Sequence, residues 1–343
     1  MKCRKWIVLL AATIGTVATA GTDAVPAAAP EPKDVAPGIW VIPGGMRPNR
    51  QPDGNSVIFD VPAGLVVVDT GRHAWHREAI LELARTRNKD IVAIVNTHWH
   101  LDHVSGNPAL RAAFPDLRVL ASDSIDGALS GFLASSARSA AAYLDDPQIA
   151  EEMRDDIRGD LATIQNGAAL KPDSMVTTSG SMTLGGRTLR INLAPDAVTS
   201  GDLWLYDEQT RVAVLGDLVT LPAPFLDTAC PDGWQFALGQ VAATDFEVAI
   251  PGHGAVMSRA QFLTYRKAFD GFMACTNSVR PQDECAGGWA DSVQPLLADD
   301  PNERQRARQF AAYYVEMLRA HDGRSEYCES QPDANGASPV QSR

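Results

Sequence analysis

The sequence predicts a mixed α/β domain in which two β-sheets are packed between layers of helices. Short apolar runs that are typical of buried strands occur in both the first and the second half of the chain. A region with helical patterning separates the two groups of strands, and further helical patterns follow the second group. Because the order is strands, helix, helical insertion, strands and helix, a singly wound sheet does not fit this chain.

The N-terminus is typical of a secretory signal peptide. A basic start is followed by an apolar stretch over residues 6–18, and Ala18-Thr19-Ala20 fits a cleavage site with small residues. The apolar stretch is shorter than the roughly 20 residues that span a membrane. An uncleaved membrane anchor is the alternative. We expect a signal peptide over residues 1–20, a periplasmic or secreted protein, and no membrane association after cleavage.

The segment after the signal peptide predicts a linker that leads into the folded domain. Residues 21–37 are rich in Pro and Ala and show no periodicity, which is typical of a flexible connection. We therefore expect the domain over residues 38–328. Helical patterns cover 73–86 and 107–114. The strands predicted around them are 39–42, 57–59, 65–68, 91–95 and 117–121.

The second half of the chain begins with an Ala-rich region over residues 123–170, which predicts a helical insertion. Helices over about 258–322 close the domain, one of them starting after Ser258, a favourable N-cap, and one after Asn302. Residues 329–343 are polar and predict a loose tail. The strands predicted between the insertion and these helices are 182–184, 187–193, 203–206, 211–215 and 248–250.

The charge balance argues against nucleic acid as a partner. The formal net charge is −12, from 42 acidic and 30 basic residues. No basic stripe interrupts this balance, whereas phosphate binding needs clustered Lys and Arg. We expect a small-molecule substrate and no nucleic-acid partner, and the sequence leaves the oligomeric state open.

The cysteines fit an exported protein. Removal of Cys3 with the signal peptide leaves an even number, which suggests two disulfides in an oxidising compartment. Four cysteines allow three pairings. We favour Cys275–Cys285 and Cys230–Cys328, because the first pair closes a short local loop. A Cys-ligated zinc is the weaker alternative, since no C-x-x-C spacing occurs.

A dense cluster of titratable residues predicts a metal site. Thr97-His98-Trp99-His100-Leu101-Asp102-His103 directly follows the apolar run 91–95. Burying so many titratable side chains without partners would be costly, and a metal ion offsets that cost by coordinating imidazole and carboxylate. Asp217 and His253 each stand just past a further apolar run, where side chains converge on one edge of a sheet.

These motifs resemble the metallo-β-lactamase superfamily. The pattern T-H-x-H-x-D-H at 97–103 is followed by G-D at 216–217 and P-G-H-G at 251–254, and Val66–Gly71 matches the strand and D-T-G turn that precede the first motif. The resemblance covers roughly residues 38–275. It implies a four-layer αββα sandwich with one or two metal ions, usually zinc, at the edges of the sheets.

The resemblance also assigns roles to individual residues. It implies that His98 and His100 bind a first metal ion, and that Asp217 bridges to a second. Asp69 would orient the ligand loop through hydrogen bonds. The remaining ligands, all of the second metal ion, would be Asp102, His103 and His253.

One departure from the family pattern concerns the first metal ion. The family supplies a third His in a segment resembling H-T-x-G-D, and the corresponding segment here is Val198–Asp202. Val198 replaces that His and has no group that binds metal. We therefore expect one strongly bound zinc at the second site and weak or absent binding at the first. Asp196 and His73 are candidate substitute ligands.

The resemblance implies hydrolysis by a metal-activated water, which Asp102 would orient as a catalytic residue. An Asp at position 217 resembles the glyoxalase-II-like and lactonase-like branches, whereas true β-lactamases usually carry Cys or Ser there. We therefore expect an ester, thioester or lactone as substrate. One alternative is a β-lactam hydrolase. The other is a degenerate member that binds metal or a ligand without turnover.

Overall fold

The structure, a computed structural model, describes residues 29–298 and 301–328. The predicted signal peptide over 1–20 and the predicted tail over 329–343 lie outside the described residues, as do residues 21–28 of the predicted linker. Within the described part of the chain, no helix is both long and apolar enough to cross a membrane.

The first sheet is antiparallel from β1 to β4 and parallel from β4 to β7. Its strands neighbour one another in chain order. They are β1 (Lys33–Ala36), β2 (Ile39–Ile42), β3 (Ser56–Val61), β4 (Gly64–Val68), β5 (Ile91–Val95), β6 (Arg118–Ala121) and β7 (Ser174–Met175).

The second sheet is antiparallel except where β11 and β12 run parallel. Parallel pairing brings the C-terminal ends of those two strands to the same edge of the sheet. Its strands, in chain order and inverse spatial order, are β8 (Gly180–Leu184), β9 (Arg187–Pro195), β10 (Gly201–Asp207), β11 (Val212–Thr220), β12 (Val248–His253) and β13 (Met257–Ser258).

Helices cover the outer faces of the sheets and form the insertion between them. Helix α8 begins with the capping box that Ser258 forms with Gln261. The helices are α1 (Ala74–Arg87), α2 (Leu101–Val104), α3 (Asn107–Ala113), α4 (Ile125–Ser130), α5 (Phe132–Tyr143), α6 (Glu151–Gln165), α7 (Pro231–Ala242), α8 (Arg259–Thr276), α9 (Gln282–Val293) and α10 (Pro301–Ala320).

Side chains of the first sheet alternate between two cores. In β3, Val57 and Phe59 lie between the sheets, whereas Ile58 packs towards α1 and α3. This alternation is the two-residue period of a strand that is covered on both faces. A third core, which includes Trp234 and Trp289, packs the second sheet against the C-terminal helices. The resulting order of layers is helix, sheet, sheet, helix, so the predicted αββα sandwich is confirmed.

The insertion predicted over 123–170 consists of α4, α5 and α6, followed by a short 3-10 helix at 167–170. Its apolar residues Ile125, Leu133 and Leu170 pack with Trp99 in a separate small core. Because Trp99 lies inside the predicted metal motif, the insertion packs directly against the loop that carries the candidate ligands.

Other elements differ from the sequence prediction. Lys33–Ala36, inside the segment predicted as a linker over 21–37, forms β1 and pairs with β2. It is an exposed or half-buried edge strand, so no apolar alternation marks it. Helices α7 and α9 were not predicted either. Each contains two glycines, which lower helix propensity, and each is held in place by a buried tryptophan.

Two disulfides join parts of the C-terminal half. Cys230 bonds to Cys328, and Cys275 bonds to Cys285, which is the pairing favoured from the sequence. The first bond joins the start of α7 to the end of the described chain. The second closes the short connection between α8 and α9. Both bonds therefore fasten the helical layer outside the second sheet.

Candidate metal centre

The candidate ligands come from three stretches of the chain that meet near the C-terminal ends of β5, β11 and β12. His98 and His100 lie in the turn after β5, and Asp102 and His103 lie on the short helix α2. The other two stand at the ends of parallel neighbours, with Asp217 in β11 and His253 at the end of β12. The structure thus brings all six predicted ligand residues together.

The second predicted site is the tighter group. His253 Nε2 lies 3.1 Å from Asp102 Oδ2 and 3.2 Å from His103 Nε2. Asp217 Oδ1 lies 3.2 Å from His103 Nε2 and 3.6 Å from His253 Nε2. The donor atoms of Asp102, His103 and His253 all lie within 4.8 Å of one another, whereas Asp217 forms a second such group with His98 and His103. His100 belongs to neither group. Imidazole and carboxylate are donors that zinc accepts.

The first predicted site is more open. His98 Nε2 lies 3.6 Å from Asp217 Oδ2, and His100 Nδ1 lies 4.0 Å from the same oxygen. Asp217 therefore turns one carboxylate oxygen towards each group of imidazoles. This geometry matches the bridging position predicted for Asp217.

Hydrogen bonds to threonine side chains fix which ring nitrogen of His98 and of His100 faces Asp217, here called the inner nitrogen. Thr97 Oγ1 donates to Asp69 Oδ2 at 2.7 Å, so it accepts from His98 Nδ1 at 2.9 Å. Thr228 Oγ1 donates to the Val198 carbonyl at 2.9 Å, so it accepts from His100 Nε2 at 3.0 Å. The inner nitrogens, His98 Nε2 and His100 Nδ1, consequently carry free lone pairs.

Asp69 supports the ligand loop as predicted from the resemblance. Its Oδ2 accepts a hydrogen bond from His103 Nδ1 at 2.8 Å, and its Oδ1 accepts one from the Thr97 amide at 2.8 Å. The Asp69 carboxylate thereby turns His103 Nε2 towards the centre. A carboxylate behind a ligating imidazole fixes the orientation of the ring and raises its basicity.

Buried polar atoms at the centre test whether a metal ion fits these residues. His98 Nε2 and Asp217 Oδ1 are buried without a hydrogen-bond partner. Leaving such atoms unsatisfied costs about 1–3 kcal/mol each. A cation held by these atoms removes that cost, so the donor set fits a divalent metal ion. The fit rests on the chemistry and direction of the donors.

Two glycines make room for the ligands. A Cβ placed on Gly54 would lie 2.4 Å from His103 Cε1, and one on Gly252 would lie 1.8 Å from Asp217 Oδ1. Asn55 holds the segment around Gly252, donating to the carbonyls of Pro251 and Gly254. No local sequence pattern marks Gly54 or Asn55, because their partners lie in distant parts of the chain.

The electrostatics of the centre favour a cation. Burial opposes charge on Asp217, yet His103, His253 and His98 hold the pKa of its carboxyl well below the usual range. Burial likewise opposes charge on His103, but Asp217, Asp69 and Asp102 raise its pKa well above the ordinary value. Metal binding at these residues therefore competes with protons on His103 and is coupled to pH.

His98 differs from its neighbours. Burial, together with the charges of His103 and His100, lowers its pKa well below the ordinary value. The ring is therefore neutral at physiological pH, and Nε2 keeps the lone pair that metal binding requires.

Comparison with known proteins identifies the family. The model of the metallo-beta-lactamase superfamily matches residues 50–253, which is more than half of the chain. This protein belongs to the metallo-beta-lactamase superfamily. The matched region ends at the His253 that was identified from the P-G-H-G motif.

Individual curated proteins resemble parts of the chain. A linear primary-alkylsulfatase from a Pseudomonas species is 24% identical over 225 residues, covering 59% of this chain and 41% of the relative. An atrochrysone carboxyl ACP thioesterase from Aspergillus fumigatus is 34% identical over 92 residues, covering 26% of this chain and 29% of the relative. The chain thus spans less than half the length of these curated relatives.

Solved structures of the superfamily share the fold. A metallo-beta-lactamase from Pontibacter korlensis is similar with a TM-score of 0.52 at 18% identity, covering 70% of this chain and 98% of its own. FIM-1 from Pseudomonas aeruginosa, solved in its mono-zinc form, has a TM-score of 0.51 at 18% identity, covering 71% and 97%. Members of the superfamily bind zinc.

Val198 departs from the superfamily pattern in the structure as well as in the sequence. Its side chain is fully buried in the apolar core between the second sheet and the C-terminal helices. Its carbonyl accepts the hydrogen bond from Thr228, which in turn contacts His100. The sequence did not reveal Thr228 as a neighbour of the site, since 128 positions separate it from His100.

The two candidate substitute ligands occupy other surroundings. His73 lies between carboxylates, with Nδ1 2.8 Å from Asp53 Oδ2 and Nε2 3.1 Å from Asp156 Oδ1. Asp196 lies in the turn between β9 and β10 with a positive φ of 51°. Among the residues that the structure describes, the groups able to hold a metal ion include neither of them.

Aromatic rings surround His100. The ring centroids of Trp99 and Phe225 lie 4.7 and 5.0 Å from that of His100. Phe132 of the insertion lies 5.6 Å from Trp99 and 5.2 Å from Tyr327, which precedes Cys328 of the disulfide. We call Trp99, Phe132, Phe225 and Tyr327 the aromatic wall. It gives this side of the centre an apolar surface.

Proposed function

We propose that the protein is an exported, zinc-dependent hydrolase that cleaves an ester, thioester or lactone. The observation that carries this proposal is the direction of the donors. His98 and His100 donate hydrogen bonds to Thr97 and Thr228, which leaves their inner nitrogens as acceptors, and Asp217 turns one oxygen to each side. Side chains that are preorganised in this way support a metal centre.

The chemistry divides between the ion and the residues around it. A zinc ion, when bound, lowers the pKa of a coordinated water to about 7 and polarises the carbonyl under attack. Asp102, with a tenth of its side chain exposed, would orient the attacking water. His98, which is neutral, would accept a hydrogen bond from the water at Nε2. Both residues would thus favour attack of the water oxygen on the carbonyl carbon.

We propose one strongly bound zinc at the group formed by Asp102, His103, Asp217 and His253. The first group has His98, His100 and the shared Asp217, and Val198 contributes no ligand. Three ligands with an open position are compatible with a catalytic zinc, but with weaker binding. The same replacement also favours a second candidate function, in which the protein binds metal or a ligand without turnover.

The substrate class rests on two further observations. Asp217 supplies a carboxylate at the bridging position, as expected for the ester-cleaving and thioester-cleaving branches, and a thioesterase is among the matched relatives. The aromatic wall offers an apolar surface beside His100. We therefore propose a small-molecule substrate whose acyl group is apolar. Likeness to solved β-lactamases supports the fold alone, so β-lactam hydrolysis remains the other alternative.

The test combines metal analysis with a panel of substrates. The mature protein, loaded with zinc, is assayed on aryl esters, an acyl thioester, lactones, an alkyl sulfate and a β-lactam. We expect turnover of an ester, thioester or lactone and about one zinc per chain. Asp217→Asn should abolish both, whereas Asp116→Asn, a change at an exposed carboxylate, should affect neither.

Other outcomes would redirect the proposal. Bound zinc without turnover on any substrate would favour the binding protein. Turnover of the β-lactam alone would replace the acyl substrates with that class. A protein that neither retains nor takes up zinc would refute the metal-dependent function altogether.

The proposed export rests on two disulfides, which persist in oxidising compartments, and on the predicted signal peptide. Expression of the full chain in a Gram-negative host and mass spectrometry of the periplasmic fraction would test it. We expect an N-terminus at Gly21 and no free thiols. Uncleaved protein in the cytoplasmic fraction would contradict export.

A further inference from the structure

The side chain of Arg72 connects the metal centre to helix α6 of the insertion. Its guanidinium is largely buried, forms an ion pair with Asp160 of α6 and lies 3.8 Å from Asp102 Oδ1. Its Nε donates to the Pro52 carbonyl at 3.2 Å. One guanidinium therefore touches a candidate metal ligand on one side and the insertion on the other.

The two oxygens of Asp102 face different partners. Oδ2 points to the imidazoles, at 3.1 Å from His253 Nε2 and 3.9 Å from His103 Nε2. Oδ1 faces the Arg72 guanidinium instead. At 3.8 Å this contact is an ion pair and not a hydrogen bond, and its attraction for Oδ1 favours the orientation in which Oδ2 faces the imidazoles. Residues behind a ligand strengthen metal binding by orienting it in this way.

Helix α6 is anchored next to Arg72 by its buried acidic face. Asp156 stands one helical turn before Asp160 and accepts hydrogen bonds from Arg50 at 2.6 Å and from the Gln51 amide at 2.8 Å. The Gln51 side chain donates to Asp160 at 2.8 Å. The loop before β3 and the turn after β4 thus both contact the same face of α6.

Charge explains why Asp160 matters to the centre. An unpaired guanidinium beside Asp102 would repel a cation bound there, because both carry positive charge in a buried environment. The Asp160 carboxylate neutralises Arg72 only while α6 is docked. Arg72 is therefore compatible with metal binding when the insertion is in place and opposes it when the insertion detaches.

We infer that Arg72 is a positioning residue that couples docking of helix α6 to the affinity of the centre for its metal ion. This inference rests on the proposed metal-dependent function. Thermodynamic linkage makes the coupling reciprocal, so metal binding stabilises the docked position of α6 by the same factor. The insertion is then a metal-responsive cover of the site.

The test measures zinc binding and the mobility of α6 in the full mature chain, with zinc alone as ligand. Chelator competition gives the dissociation constant, and hydrogen exchange of peptides covering 151–165 reports docking. Asp160→Asn should weaken zinc binding by about 10–100-fold, in the range measured for residues behind metal ligands. Zinc should slow exchange over 151–165 in the wild type and much less in Asp160→Asn.

Two further variants separate positioning from general stability. Asp155→Asn changes an exposed carboxylate of the same helix, which pairs with Arg158 on the surface, and should bind zinc as the wild type does. Arg72→Lys keeps the positive charge but loses the planar fork, so it should show an intermediate loss. If Asp160→Asn does not fold, Arg72→Lys carries the test.

The inference fails if zinc binds the wild type tightly and Asp160→Asn and Arg72→Lys equally tightly. It also fails if zinc leaves exchange over 151–165 unchanged in the wild type. Neither result touches the proposed hydrolase. If zinc binding is coupled to docking of α6 but no substrate is turned over, the proposed hydrolase is refuted and the role of Arg72 stands. A wild type that binds no zinc refutes both the hydrolase and the role of Arg72.

Discussion

Gly54 leaves the space that His103 occupies, so Gly54→Ala is the smallest change that should disable the centre from outside the ligand set. The added Cβ would lie 2.4 Å from His103 Cε1 and 2.7 Å from its Nε2. Gly54 has no positive φ that would strain alanine. The substitution should therefore act by displacing the His103 imidazole and not by straining the backbone at position 54.

The size of the displacement follows from the geometry. Ordinary contact requires at least 3.4 Å, so the ring must move by about 1 Å relative to position 54. The backbone cannot easily yield instead, because the Gly54 amide donates to the Asp102 carbonyl at 3.1 Å. Zinc tolerates deviations of about 0.2 Å in its ligand distances. We expect zinc affinity to fall at least about tenfold, which corresponds to about 1.4 kcal/mol.

Isothermal titration of the apoprotein with zinc would measure this loss, and the melting temperature of the apoprotein would show that the variant is folded. Gly159→Ala serves as control, since it adds a methyl group in open space on α6. Zinc affinity equal to that of the wild type in folded Gly54→Ala would refute the placement of His103 among the ligands.

Three further predictions concern other parts of the site. Val198→His should raise the zinc content, measured by elemental analysis, towards two per chain. The larger side chain should also lower the free energy of unfolding, measured with denaturant, by about 1–3 kcal/mol. An unchanged zinc content would show that position 198 does not face the first site. Phe225→Ala should raise KM for aryl esters severalfold but not for acetate esters of small alcohols, and equal effects would argue against the aromatic wall as an acyl surface. Burial lowers the pKa of His76 to about 4 from 6.5. The unfolded chain therefore takes up its proton first, and the free energy of unfolding should fall by about 3 kcal/mol between pH 6.5 and 4. His76→Gln should remove this part of the pH dependence, and identical profiles would contradict the burial argument.

The candidate ligands could be picked out from the sequence because their chemistry is concentrated there. Three imidazoles and a carboxylate lie within residues 98–103, directly after a buried strand, and burying them together is costly unless a cation binds them. Asp217 and His253 follow apolar strands, and parallel pairing of those strands brings them to one edge. The αββα fold was predicted for a similar reason, since its central strands are continuous apolar runs.

What the sequence did not reveal depends on pairing between distant positions. Arg72 and Asp160 are 88 positions apart, and nothing in the local pattern of either predicts the other. His73 follows the D-T-G turn, which suggested a substitute ligand, but its Nδ1 is hydrogen-bonded to Asp53 and its Nε2 lies 3.1 Å from Asp156. Tertiary partners of this kind are fixed only when the chain is folded.

The disulfide between Cys230 and Cys328 links the structure of the candidate site to the redox state of the compartment in which the chain folds. It links the loop that carries Phe225 and Thr228 to a segment 98 positions away, next to Tyr327. The candidate ligands lie in β11, β12, α2 and the turn after β5, and His100 of that turn is hydrogen-bonded to Thr228 of the linked loop. Without this bond, the loop would be free to move away from His100, and both the hydrogen bond from His100 to Thr228 and the apolar contact of Phe225 with His100 would be weakened. Formation of this one disulfide would then complete the surroundings of His100, a residue far from either cysteine in the sequence.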